Sequence, residues 1–291
     1  MTAADWKSLV PGQHDIRMVV SDMDGTLLDE EGRVPDQFWP LLQRMHADGI
    51  TFVPASGRRF PILSEMFSRV DTGLTFVSEN GTMVVHEDGE VVLSCLDEPT
   101  IVEVVERVRK HALTHDIGLV LGGPDSAVVE RSDQVFLDHI TPFLGDVTVV
   151  DDLLADPGPV LKMAIYDFAP IETSSLVLFA DLRATHQVVV GAKHWIDIMV
   201  AGVNKGSAVR GLQESMGITP AQTVVFGDYL NDLEMLQAAG LPIAMVNAHP
   251  SIRATAKYLA PRNTEHGVVT TLNHLLGYTP DDAALPLAVG L

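Results

Sequence analysis

Two aspartates, Asp22 and Asp24, stand two residues apart directly after the short apolar run Met18-Val19-Val20, and Gly25-Thr26 follows them. In such a turn the first carboxylate can attack phosphorus and the second can transfer protons. The bend after them can point backbone N–H groups at an anion. The same composition also suits an ordinary Asx turn, so the chemistry depends on what else the chain brings to this place.

Short β-branched apolar runs occur at Met18 to Val20, Thr51 to Val53, Leu74 to Val77, Thr223 to Phe226 and Leu241 to Met245. Bounded by turn and polar residues, they read as buried parallel strands. Helical patterns at about Pro35 to Asp48, Pro61 to Val70, Lys205 to Met216 and Asn231 to Ala239 lie between them. This alternation predicts an α/β fold with a doubly wound parallel sheet, in which ligands sit at the carboxyl ends of strands. Polar residues follow the strand-like runs at those ends: Asp22 and Asp24, then Ser56-Gly57-Arg58, then Glu79-Asn80-Gly81, then Gly227-Asp228. Four strand ends are thereby expected to converge on one crevice.

The interval between the third and fourth of these strands is far too long for a crossover and too rich in strand and helix patterns for a disordered loop. Met83 to Leu96 alternates around Asp88-Gly89 like a hairpin still belonging to the core sheet. An inserted domain is expected over residues 98–200, from the amphipathic helix at Glu98 to the strand-like run ending at Val200. Residues 1–97 and 201–291 then form the two parts of the core, with the tail from Pro280 a loosely attached end.

With 291 residues and 46% apolar content the chain can bury a large core and is long enough for two domains. Its formal charge of −20 offers nucleic acid and anionic membranes no basic footprint. A phosphorylated ligand would therefore need a local cation or specific Lys and Arg groups. Cys95 is the only cysteine, which excludes an intrachain disulfide and fits a reducing compartment. No signal peptide or membrane span is read, and a cytoplasmic location is expected. The eleven histidines show no metal-ligand spacing, and none is assigned to catalysis.

The stretch DMDGTLL resembles the first motif of the haloacid dehalogenase superfamily of hydrolases. Three further resemblances follow in order: Ser56 in PASGRR, Lys205 in GVNKG, and Asp228, Asn231 and Asp232 in FGDYLND. The segment SENGTMV and the stretch from Ile243 to Val268 are similar to the Cof-type subgroup, so the resemblance spans nearly the whole chain. Ser56 stands where Thr is commoner, and Tyr229 occupies a variable position.

The resemblance implies a Rossmann-like core with an inserted cap of the C2B type. It implies a phosphatase in which Asp22 is the nucleophile, Asp24 the proton donor and acceptor, and Ser56, Gly57 and Lys205 the phosphate-binding groups. Mg²⁺ would be held by the Asp22 carboxylate, the Asp24 backbone carbonyl and Asp228. A set of oxygen ligands suits Mg²⁺ better than zinc or copper. Asn231 and Asp232, which also suit helix N-caps, would orient metal-bound water. Arg58, Asn80 and Gly81 are candidate substrate contacts at the rim, with Arg59 beside them. The expected substrate is a small phosphorylated metabolite: a sugar phosphate, a nucleotide or a cofactor phosphate. A phosphomutase of the same fold and a non-catalytic metabolite-binding regulator are the alternatives.

Overall fold

The apolar run after Arg17 extends two residues beyond its apolar part, so that Ser21 and Asp22 complete a five-residue strand buried throughout. The computed structural model describes residues 3–70 and 73–278, and the tail from Pro280 lies outside them. The first strands are β1 (Ala4–Asp5), β2 (Met18–Asp22), β3 (Thr51–Ala55), β4 (Phe76–Ser78), β5 (Met83–Val85) and β6 (Val91–Leu93). An inserted set follows: β7 (Ile117–Gly122), β8 (Ala127–Val129), β9 (Val147–Val149), β10 (Lys162–Asp167), β11 (His186–Ala192) and β12 (Trp195–Val200). The chain then returns with β13 (Thr223–Gly227), β14 (Leu241–Met245) and β15 (Tyr258–Ala260).

Nine strands form one sheet in the order β1-β15-β14-β13-β2-β3-β4-β5-β6. Pairing is parallel from β1 to β4 and antiparallel over the last two pairs. The hairpin expected around Asp88-Gly89 is thus the sheet's edge. Order reverses at β2, which lies between β13 and β3, and this switch point opens a crevice at the carboxyl ends.

The helices are α1 (Phe38–Ala47), α2 (Phe60–Glu65), α3 (Glu98–His111), α4 (Gln134–Leu144), α5 (Lys205–Met216), α6 (Leu233–Gln237), α7 (Pro250–Thr255) and α8 (Gly267–Leu276). Helix α1 turns Phe38, Leu41, Leu42 and Met45 inward. The Phe38 ring meets Phe52 of β3 edge-on with centroids 4.8 Å apart. Burying a side chain of this size contributes about 1.5–3 kcal/mol.

Two helices are shorter than their sequence patterns suggest. Helix α2 stops at Glu65 because Phe67 N–H and Ser68 N–H bond three residues back, to Ser64 and Glu65, tightening the chain into turns. Helix α6 starts only at Leu233, since the Asp232 carboxylate takes the backbone N–H groups of Asp228 and Tyr229 and holds a tight turn before it.

Strands β7 to β12 pair only with one another, in the order β11-β12-β10-β7-β8-β9. One face of this second sheet packs Met163, Ile165, Ile196 and Ile198 against Val104, Val105 and Val108 of α3. The opposite face carries Ala164 and Tyr166 against Phe136 and Ile140 of α4. Helix α4 covers only part of that face, and the remainder looks into the crevice of the large sheet. Among the described residues no helix is long and apolar enough to cross a membrane.

Candidate active site

Register brings the motifs together. Asp22 pairs with Ala55, and Ser21 with Phe226, so Ser56 and Gly227-Asp228 leave the sheet on either side of Asp22. Asp22 is 6% exposed and Ser56 2%. After Asp22 the chain bends through Gly25 at φ +78°, a conformation that L side chains rarely adopt. A Cβ there would lie 2.5 Å from Asp228 Oδ2, so the glycine also admits the Asp228 carboxylate. Thr26 Oγ1 donates to Asp228 Oδ1 at 3.0 Å, and Asn247 Nδ2 donates to the Gly25 carbonyl at 2.8 Å.

Lys205 opens α5, whose start is fixed by Ser207 N–H donating to Asn204 Oδ1 at 2.8 Å. The lysine is fully buried, and its Nζ donates to Asp22 Oδ1 at 2.5 Å and to Asp232 Oδ1 at 2.7 Å. Burial alone would lower its pKa, but the two carboxylates hold it above the ordinary lysine value. Behind it, Gly206 touches α6. A Cβ on Gly206 would fall 2.3 Å from the Glu234 carbonyl, so Gly206→Ala should cost on the order of 1–3 kcal/mol through overpacking. Urea denaturation should show a lower midpoint with an unchanged slope.

Asp22, Asp228 and Asp232 offer carboxylate oxygens within 4.8 Å of one another. Asp232 spends both of its oxygens on Lys205 and on backbone N–H groups. Asp22 Oδ2 and Asp228 Oδ2 accept no hydrogen bond among the described residues. Burial, then repulsion from Asp232, pushes the Asp22 carboxyl up to about 7. Burial, then repulsion from Asp22, pushes Asp228 up to about 9. Two open oxygens on crowded, desolvated carboxylates are what a hard divalent cation would neutralise, so the donor set fits Mg²⁺. Asp232 acts here as a strut for Lys205 and the 228–229 turn.

The Asp24 side chain turns out of this cluster toward Arg58, whose Nη2 and Nε donate to its two oxygens at 2.6 and 2.8 Å. Arg58 also donates to the Pro142 carbonyl of α4 at 2.9 Å and stacks over Phe143, 5.0 Å from the ring centre. Arg59 reaches the Leu144 carbonyl at 3.1 Å. The two arginines thus cap the end of α4 and tie the second sheet's layer to the first. Ser56 Oγ accepts the Arg58 backbone N–H at 3.1 Å.

A cavity of about 100 Å³ joins the two layers, lined from the large sheet by Asp22, Asp24, Ser56, Gly57, Asn80 and Asn231, among others. Asn231 donates to Asn80 Oδ1 at 3.0 Å, and Asn80 donates to Asp197. Of the three residues expected at the rim, Arg58 and Asn80 line the cavity and Gly81 does not. Its φ of +96° and the Asn204 carbonyl, 2.5 Å from where a Cβ would stand, make Gly81 a packing position against the start of α5.

Sequence reasoning passed over Lys162 and Asp197, both from the inserted strands. Lys162 Nζ donates to the Gly57 carbonyl at 2.7 Å, pairs with Glu79 Oε2 at 2.7 Å and lies 3.7 Å from Asp197 Oδ2. The available signal was Asp197 inside the otherwise apolar run of β12 and Lys162 at the start of β10, directly after Val160 and Leu161, placements that water alone does not satisfy.

A sequence profile of haloacid dehalogenase-like hydrolases matches residues 19–272. Over 270 residues the chain is 30% identical to the 5-amino-6-(5-phospho-D-ribitylamino)uracil phosphatase YbjI of Escherichia coli (strain K12), covering 90% of this chain and 96% of that protein. It is 27% identical over 245 residues to an HMP-PP phosphatase of Cronobacter sakazakii, covering 84% of this chain and 89% of the relative. The crystal structure of SMU.1108c from Streptococcus mutans UA159 superposes with a TM-score of 0.84 at 25% identity, covering 90% of this chain and 99% of that one. The acidic strand ends around Asp22, the buried Lys205 and the inserted second sheet all lie inside the matched span, and the chain belongs to the haloacid dehalogenase-like hydrolase family.

Proposed function

We propose that this protein is a Mg²⁺-dependent phosphatase that hydrolyses a small phosphorylated metabolite through an aspartyl-phosphate on Asp22. The observation that carries this reading is the buried Asp22 carboxylate, held by Lys205 on one oxygen, with its other oxygen open beside Asp228 and with Ser56 at the neighbouring strand end. The names of the Escherichia coli and Cronobacter relatives, both phosphatases of small metabolites, support it.

In this reading Asp22 attacks phosphorus, and Asp24 gives a proton to the leaving oxygen and later takes one from water. Arg58 holds both Asp24 oxygens in the present arrangement, so Asp24 must turn from the guanidinium toward the leaving group for either step. The Ser56 hydroxyl and the Lys205 ammonium steady the phosphoryl oxygens, and most of the rate comes from positioning and charge neutralisation. Asp22, Asp228 and the Asp24 main-chain carbonyl would hold Mg²⁺, whose charge would shield nucleophile and phosphate from each other. Asn231 orients water at the same place. Residues 98–200 act as the cap that closes the crevice and excludes bulk water.

Release of inorganic phosphate from a panel of phosphorylated metabolites, with Mg²⁺ and with excess EDTA, tests the proposal. Activity should vanish with EDTA and return with Mg²⁺. Asp228→Ala should raise the Mg²⁺ concentration for half-maximal rate on the order of 10–100-fold. Full turnover in EDTA would remove the metal from the mechanism.

A further inference from the structure

The bend that follows Asp22, Met23–Leu27, is braced by a strand end that the chemistry above leaves unused. Strand β14 ends at Met245 beside β13, with Ala244 opposite Gly227, so the chain after it enters the side of the sheet that holds Asp22 and Asp228. Two residues on, Asn247 Nδ2 donates to the Gly25 carbonyl at 2.8 Å, and His249 N–H donates to the Asp228 carbonyl at 2.8 Å. Thr26 Oγ1 joins the two acidic segments directly through Asp228 Oδ1 at 3.0 Å. The loop 246–249 thus touches both segments that carry the acidic groups, while Asn247 itself does not line the cavity.

A glycine in this bend carries a conformational cost that Asn247 offsets. Gly25 sits at φ +78° and ψ −2° and must lack a Cβ to admit the Asp228 carboxylate. Glycine populates negative φ about as readily, so its own backbone does not choose this arrangement. Rotation at Gly25 would turn the peptide that joins it to Asp24, and with it the Asp24 carbonyl. Because peptide groups are planar, holding the Gly25 carbonyl from outside restrains the two dihedrals between them. The Asn247 amide is itself oriented: its Oδ1 accepts the Asn263 N–H at 3.4 Å, which leaves Nδ2 for Gly25. Asn263 Nδ2 in turn donates to the Leu28 carbonyl at 2.9 Å. Two asparagines from the second part of the core therefore grip two carbonyls of the segment 23–28.

We propose that Asn247 is a positioning residue: by holding the Gly25 carbonyl it fixes the Asp24–Gly25 peptide, and with it the main-chain oxygen offered to the divalent cation. The inference rests on the phosphatase reading above and adds to it a residue that touches neither phosphate nor metal. Without the amide, Gly25 samples its other backbone conformations, and the Asp24 carbonyl leaves the side of Asp22 and Asp228 for part of the time. Apparent cation affinity falls in proportion to the fraction of molecules left in the competent arrangement. The damage stays local, because β13, β14 and β15 keep their ladders without this side chain.

The test uses the full chain and reads Mg²⁺ binding by titration calorimetry beside phosphate release from p-nitrophenyl phosphate. Asn247→Ala should raise the Mg²⁺ dissociation constant by about 10–100-fold, the scale for losing a partner that orients a metal ligand. The Mg²⁺ concentration for half-maximal rate should rise by the same factor, while KM for the ester at saturating Mg²⁺ stays within about threefold of the parent. A purely structural loss behaves otherwise, lowering the melting temperature in EDTA and moving KM with it. Here that temperature should fall by no more than about 4 °C, the scale for one hydrogen bond. Asn247→Asp keeps an oxygen for the Asn263 N–H but sets an acceptor against the Gly25 carbonyl. Its added negative charge would by itself tighten cation binding, so weaker binding in this variant isolates the lost donor. Parent-like affinity in Asn247→Ala, or tighter binding in Asn247→Asp, overturns the positioning role and leaves the phosphatase reading standing. If the unaltered chain neither binds Mg²⁺ nor releases phosphate with it, both fall.

Discussion

Asp22→Asn should lower phosphate release by about 10⁴–10⁶-fold, the range seen when a covalent nucleophile is removed, while leaving the fold intact. An amide oxygen is too weak a nucleophile to take the phosphoryl group, and the neighbouring carboxylates Asp232 and Asp24 are held elsewhere. Asp232 is engaged by Lys205 and two backbone N–H groups, and Asp24 is turned toward Arg58. The substitution should not act through stability. Asp22 is a buried carboxylate whose ionised form is disfavoured first by burial and then by Asp232. An isosteric neutral amide relieves that repulsion, and the Asp232 partner of Lys205 remains. The melting temperature in EDTA should therefore match or exceed that of the unaltered chain. The two measurements belong together, because a loss of activity with a lowered melting temperature would mean damage to the fold. Residual turnover within about 100-fold of the parent, in protein free of deamidated material, would remove Asp22 from the nucleophile's place.

Lys205→Met should be costly in both respects. The side chain is fully buried with Nζ between Asp22 and Asp232, and methionine fills much of the same volume without the charge. Breaking a buried ion pair by removing one partner typically costs about 3–5 kcal/mol, because the partner charge remains desolvated and unpaired. Here two carboxylates are left, so the metal-free variant should unfold at a markedly lower urea concentration. Mg²⁺ should restore part of the loss by neutralising the same cluster. Turnover should fall by about 10²–10³-fold, the scale for losing one charged stabiliser of the transferring group. Combining Lys205→Met with Asp22→Asn supplies an internal check. If the penalty comes from stranded carboxylates, the lysine substitution should cost less stability when Asp22→Asn is already present, a coupling of about 0.5–3 kcal/mol between contacting groups. Strict additivity would place the cost elsewhere, in the packing of α5 on α6.

The places of Asp22, Ser56 and Asp228 along the chain were legible because each ends or follows a buried strand, and a buried strand announces itself by an apolar run ending in a polar residue. Met18 to Val20, Thr51 to Val53 and Thr223 to Phe226 predicted which ends would hold Asp22, Ser56 and Asp228, and parallel register does the rest. Lys205 was legible only by resemblance, since a lysine beside a glycine at a helix start reads as solvated until its burial is known. The interval holding a second sheet was legible from its length and pattern.

Other features depend on contacts between residues far apart along the chain, and no local pattern encodes them. Arg58 was expected at the rim and lines the cavity, and its guanidinium also spans Asp24 and the end of α4, a choice made by where Pro142 and Phe143 come to lie. Gly81 was expected at the rim and is a packing position, because the approach of Asn204 decides it. Asp232 was read as a residue that orients water, and its oxygens are taken by Lys205 and the backbone. Lys162 and Asp197 gave only the weak signal of a charge within an apolar strand. Their meaning appears when the second sheet sets its open face over Gly57 and Asn80. Which strand ends gather polar groups around Asp22 could be read from the residues alone, since strand burial and side-chain alternation are local. Which groups of the insert face that crevice could not, since that depends on how two separately formed sheets pack.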